Sequence, residues 1–304
     1  MTKVPELDMF NGSYFDAYKG LYSLVAHEVT ELRSMFSEGA VNNINGYKVG
    51  ILTKLMFASS SFMTVIETNH DYSSAATILR SIADNLSSYI LIYHNPQKNE
   101  IQLRHNLFLY DGFQTRKKSI QSIIPKDDSV ISMIEKQQIQ QGVEFATNNT
   151  ENAIKYCLKE IRSDDLYKQY KEEIEYLIRL KRDNWKYVSL EKYKEKPLSW
   201  GDMYPLINGK EASRFFISYL SQFVHGLSSS NLSFENTKPE TFFPMIHIGI
   251  TFLGKIHEFA QEDFGISKEI LQKNFFKTDY GMEHLSYVSP TYIKNILKML
   301  NKKH

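Results

Sequence analysis

A chain of 304 residues with 36 basic and 35 acidic side chains has a formal charge of only +1, which excludes a global field drawing it to nucleic acid or an anionic membrane. An apolar share of 42% against 23% charged suits a globular protein with a sizeable core, and 14 glycines with 8 prolines are too few for a turn-rich β fold. The one cysteine, Cys157, excludes a disulfide framework; within a helical pattern it reads as a buried small hydrophobe.

The first segment, Met1–Glu6, has no apolar signal core. The longest mostly apolar run, Phe242–Gly254, falls short of the ~20 residues that span a bilayer. A cytoplasmic protein without membrane contact is therefore expected. From there the pattern is helical throughout. Residues 13–38 form a first long helix, with Tyr14, Tyr18, Leu21, Tyr22, Val25, Val29, Leu32 and Phe36 recurring at three and four and Gly39 as C-cap. A polar turn, 42–46, leads to a second helix over 47–69, whose Ala58-Ser59-Ser60-Ser61 allows close approach of a neighbour. A third covers 73–94 and stops at Asn95-Pro96; a fourth runs to Ile124, before Pro125.

Residues 126–163 are more polar. They read as two helices, 128–146 and 150–162, parted by a loop at Thr147-Asn148-Asn149-Thr150 with Thr150 as N-cap, and as an insertion on the bundle. A strong helix follows over 164–182, then an irregular stretch, 183–197, that holds Trp185. A short helix at 199–207 precedes one over 213–226, and a long one covers 239–264. A last helix, 290–300, closes the chain. The expected fold is all-α: one domain over 1–304, an antiparallel bundle of about 13–124 and 164–264 with additional helices at 265–304.

Two helices carry the chemistry. Wound at ~100° per residue, 213–226 places Arg214, Ser218, Ser221 and His225 on one narrow polar stripe amid aromatic and aliphatic residues. Such a stripe either lies in water or lines a pocket. On the third helix Arg80, Asp84 and Ser87 run along the edge of an apolar face, at i, i+4 and i+7. Arg80 and Asp84 either pair on the helix surface or turn into the bundle to meet Ser221 or His225.

At these residues the chain resembles a known family. The segment Ala76-Thr77-Ile78-Leu79-Arg80-Ser81-Ile82-Ala83-Asp84 looks like the Arg-x-x-x-acid helix of a bacterial domain family in the HEPN superfamily of helical bundles. Asn184-Trp185, followed by Tyr219-Leu220-Ser221-Gln222-Phe223-Val224-His225-Gly226, is similar to that family's Trp and Tyr-x-x-Ser-x-x-Val-His signature. The resemblance covers about 13–260 and matches 126–163 poorly.

It implies a HEPN-like bundle of the phage-defence or toxin–antitoxin kind, commonly a homodimer, that binds RNA, a nucleotide or a protein partner without turnover. The alternative it implies is a metal-independent endoribonuclease. The usual nuclease pattern, Arg and then His four to six residues on, is absent: Arg214 lies eleven residues before His225, ~16 Å along a helix. Catalysis would need a composite site, with His225 as general acid/base, Arg80 on the phosphate and Asp84 or Ser221 orienting them. Ser221, Ser87 and Trp185 are the candidate substrate contacts.

Other signals are weaker. Glu67-x-x-His70 has di-iron spacing but occurs once, and His247 and His257 fall on different helix faces, so no metal and no cofactor are expected. Arg179, Lys181, Arg182, Trp185, Lys186 and Tyr187 interleave charge and rings as either a solvated face or a single-strand RNA surface would.

Overall fold

The computed structural model describes residues 14–36, 43–94, 98–123, 133–180, 182–224, 243–267 and 269–270. Among the described residues every element is a helix and none is a strand. They cluster into two compact units, Met1–His94 with Trp200–His304, and Asn95–Ser199.

The first unit is built on α1 (Tyr14–Met35), α2 (Ile44–Thr64), α3 (Tyr72–Tyr93), α10 (Lys210–Val224) and α11 (Phe243–Glu262), with two four-residue helices, α8 (Trp200–Met203) and α9 (Pro205–Asn208). Asn43 caps α2 by accepting from the Gly46 N–H, so this helix starts inside the expected turn. A π-helical turn, Val65–Asn69, ends it, and His70 then adopts a left-handed φ of 50°. Asp71 accepts from the Ser73 and Ser74 N–H groups and caps α3.

α1 and α2 run antiparallel. The Tyr18 hydroxyl at the start of α1 donates to the Ser59 carbonyl near the end of α2 (3.2 Å). α11 closes the bundle parallel to α1, because Tyr14 meets Phe243 and Glu28 meets His257 further along. The seam is tight at Gly249, where a Cβ would lie 2.7 Å from the Tyr18 ring. Inside it His257 and Glu28, both buried, pair at 2.7 Å, and Gln261 donates to the second Glu28 oxygen. α3 touches α2, α10 and α11, and its C-terminal half is buried almost all round.

The helical stretch Ile44–Asn69 is, among the described residues, the one long and apolar enough to cross a membrane by length and composition. It supersedes Phe242–Gly254 in that respect. Serines and threonines interrupt the run to the eye but lower mean hydropathy little.

In the second unit, α4 (Ile101–Gln121) packs against α5 (Met133–Ser163). They are antiparallel: Lys117 pairs with Glu151 at one end, and Gln102 shares a pocket with Glu160 and Ser163 at the other. α5 is continuous, so the expected loop at 147–150 does not form. The Thr150 hydroxyl donates to the Ala146 carbonyl (2.7 Å) within the helix rather than capping a new one, and buried Ile154, Cys157 and Ile161 hold the segment to its neighbours. Burial pushes the Cys157 thiol up to about 11.

The helix expected over 164–182 is instead two, α6 (Asp165–Gln169) and α7 (Lys171–Arg179), broken at Tyr170 (φ −122°, ψ 44°). Glu175 accepts from both Arg162 (2.9 Å) and the Tyr167 hydroxyl (2.8 Å). Residues 167 and 175 would be ~12 Å apart along a straight helix.

The irregular stretch after α7 is anchored by Arg104, which is 1% exposed. Its guanidinium pairs with Glu100 (3.0 Å) and donates to the Trp185 and Tyr187 carbonyls (3.2 and 3.0 Å). It also lies 3.8 Å from the centre of the Tyr187 ring, and the Tyr187 hydroxyl donates to Glu100 (2.8 Å).

The expected C-cap Gly39, the stop at Asn95-Pro96, Pro125, the residues 126–132 of the expected insertion, Gly226 and the helix 290–300 lie outside the described residues.

Candidate functional site

α3 sets the site's geometry. One helical turn separates Arg80 from Asp84, and their side chains pair at 3.5 Å (Nε to Oδ1) while a quarter and over a third exposed. α10 runs antiparallel beside α3 and brings Ser221 opposite Arg80, whose Nη1 donates to the Ser221 hydroxyl (3.2 Å). Between α8 and α9 stands Tyr204. Its hydroxyl donates to Asp84 Oδ1 (2.6 Å), and its ring lies 4.5 Å from the Arg80 guanidinium.

Each contact has its own support. Pro205 starts α9 directly after Tyr204, and the buried Ser213 hydroxyl of α10 donates to the Tyr204 carbonyl (2.7 Å). Trp200, one turn earlier, stacks on Tyr204 with centroids 6.1 Å apart and planes 21° from parallel, and it is 38% exposed. Burial, and then the Asp84 carboxylate accepting its proton, hold the Tyr204 phenol well above its ordinary range. Tyr204 therefore stays a neutral donor.

The arrangement is a guanidinium fixed on three sides: by a ring face, a hydroxyl and a carboxylate. Such a group can bind an anion at little ordering cost. None of the four groups is a histidine, the side chain whose ordinary pKa suits proton transfer near neutrality.

The expected site residues fare differently. Arg80, Asp84 and Ser221 come together. Ser87 is buried, its hydroxyl donating to the Asp84 carbonyl of its own helix (3.1 Å). Trp185 belongs to the second unit, where it is 4% exposed and meets the Phe108 ring edge-on. His225 lies outside the described residues.

On α10 the polar stripe divides. Arg214 and Ser218 are exposed and, with Phe215 and Tyr219, line a shallow groove of about 400 Å³, whereas Ser221 faces α3. The basic and aromatic run after α7 is neither a solvated face nor an open surface at its centre. Trp185, Lys186 and Tyr187 are buried, and Lys186 pairs with Asp183 (2.8 Å). Lys181 lies outside the described residues. Glu67 pairs with Lys19 (2.6 Å).

Tyr204 and Trp200 were not read as site residues from the sequence. The signal was their spacing: i and i+4 place two rings on one side of a helical turn.

Compared with protein-family models, with curated proteins and with solved structures, the chain matches none of them.

Proposed function

We propose that the protein is a HEPN-like bundle that binds RNA or a nucleotide without turning it over. Arg80 contacts phosphate, and the Trp200 indole stacks on a base. The observation that supports this most is the clamped yet part-exposed Arg80, held by Tyr204, Ser221 and Asp84. A guanidinium whose rotamer freedom is already lost binds phosphate more tightly than a free surface arginine. An exposed ring beside it adds a base-stacking contact worth ~1–3 kcal/mol.

The alternative, a metal-independent endoribonuclease using Arg80, Asp84 and His225, needs the imidazole as the proton carrier. A defence or toxin–antitoxin role belongs to both readings, through the family resemblance alone.

The test is fluorescence anisotropy with a labelled single-stranded RNA, together with metal-free incubation of total RNA. Arg80→Ala is expected to weaken binding by about tenfold or more, the worth of a charge-assisted hydrogen bond. Equal affinity of Arg80→Ala and the parent sinks the binding site. Cleavage by the parent that is lost in His225→Ala replaces the binding reading with the nuclease one. Equal cleavage by both removes His225 from any mechanism.

A further inference from the structure

A second cluster lies at the opposite end of α3, where its C-cap, His94, meets the last turn of α11 and the residue that follows it. His94 Nδ1 is 2.8 Å from Asp263 Oδ1, and Nε2 is 3.9 Å from Glu258 Oε1 and 3.7 Å from Glu262 Oε2. One imidazole thus faces three carboxylates through its two nitrogens. Phe259 packs against the ring, with 5.0 Å between centroids.

These surroundings favour the charged ring. The C-terminal ends of α3 and α11 touch here, so the negative ends of both helix dipoles converge on the imidazole. The Asp263 side chain is only 9% exposed, and a carboxylate so placed is costly unless a cation answers it. Tyr89 of α3 also faces Asp263. Burial, and then that carboxylate, hold its phenol well above the ordinary range, so Tyr89 stays neutral.

The nearby ammonium groups are turned elsewhere. Lys255 spans the two oxygens of Glu258 (3.0 and 2.7 Å), and Lys48 of α2 donates to the Asp263 main-chain carbonyl (2.8 Å) rather than to its carboxylate. Glu262 has a further interaction of its own. Asp263 is therefore the main partner of the ring. Its hydrogen bond, and then the charges of all three carboxylates, outweigh burial and hold the imidazole above its ordinary value.

The two ring nitrogens titrate differently. Asp263 keeps a proton on Nδ1, so the proton that leaves is the one on Nε2, and a lone pair then points toward Glu258 and Glu262. An attraction between the two helix ends becomes a repulsion. The His94 side chain is a quarter exposed, so water can exchange that proton.

We propose that His94 is a proton-operated lock between the C-terminal ends of α3 and α11. As an imidazolium it ties the α3 cap to Asp263, Glu258 and Glu262; without the proton the last turn of α11 loosens. A histidine raised on folding contributes stability that is fully present below its unfolded value of about 6.5 and is lost as pH rises through the folded one. The lock is closed in mildly acidic solution and opens on the alkaline side. It is independent of the Arg80 network, and its test does not involve RNA.

The experiment follows the His94 Cε1 proton of the full chain by NMR between about pH 5 and about pH 10, assigned through its contact with the Phe259 ring. A midpoint above about 6.5 is expected, and one at or below it overturns the lock. Hydrogen exchange at the amides of Phe259–Asp263, corrected for its intrinsic pH dependence, should lose protection several-fold through that midpoint. In His94→Gln, which cannot take the charge, protection should stay level. Parallel loss in parent and variant overturns the proposal. Asp263→Asn should bring the midpoint down toward the ordinary value, and an unchanged midpoint overturns the arrangement. The titration of the parent needs no variant, so it decides the matter even where a substitution prevents folding.

Discussion

Each of the two units contains the same three-residue device, and burial separates their roles. Arg104 with Glu100 and Tyr187, and Arg80 with Asp84 and Tyr204, both join an arginine to a carboxylate four residues away. In both, a tyrosine presents its ring to the guanidinium and its hydroxyl to the carboxylate. Arg104 is 1% exposed and its remaining donors reach main-chain carbonyls, so its work is to hold the stretch after α7. The Arg80 side chain is 25% exposed and its further partner is a hydroxyl that an anion can replace. The same chemistry is a structural pin when dry and a receptive group when wet.

Stability should split along that line. Arg104→Ala removes the guanidinium from buried Glu100 and is expected to cost about 3–5 kcal/mol, the usual result of breaking a buried pair. Arg80→Ala should stay within about 1 kcal/mol, because water can replace the lost partner of Asp84. Each unit has one tryptophan, so unfolding is read in the second unit from Trp185 in a Trp200→Phe background, and in the first from Trp200 in a Trp185→Phe background. Equal losses would break the comparison.

A finer cut removes only the phenol oxygens. Tyr187→Phe should cost about 1.5–3 kcal/mol, a hydrogen bond to a buried charge, and Tyr204→Phe about 1 kcal/mol or less, since Asp84 can rehydrate. Denaturant midpoints in the same single-tryptophan backgrounds decide it.

The smallest effect concerns the cap that fixes where α3 begins, and hence where Arg80 stands. Asp71 accepts from the Ser74 hydroxyl and from two N–H groups, which hold its carboxyl below the ordinary value. A depressed folded pKa contributes stability that is present above the unfolded value of about 3.9 and is lost as pH falls through the folded one. Asp71→Ala should therefore cost about 1 kcal/mol at neutral pH. The gap to the parent should close in strong acid. A gap that persists or widens there would show that the cap does not act through its charge.

Of the candidate site, the Arg80–Asp84 spacing and the Ser221 side of α10 were legible, because helix periodicity alone puts residues four or seven apart on one side. Tyr204 was not, since its hydroxyl meets Asp84 from 120 residues away. Glu100 and Arg104 show the same four-residue spacing as Arg80 and Asp84, yet nothing local distinguishes the dry pair from the wet one. The misplaced loop at 147–150 has the same origin: asparagine and threonine disfavour helix weakly, and packing along α5 outweighs them.

By itself the sequence determined the all-helical class, most helix positions and the short links that make sequential neighbours antiparallel. These follow from period, caps and breakers within a few turns of chain. Tertiary structure alone decided that α11 lies parallel to α1, that the chain clusters as two units, and that His94 meets Glu258, Glu262 and Asp263. Those facts depend on which apolar faces bury against which. That choice is made by the sum of many distant contacts, and no local spacing records it.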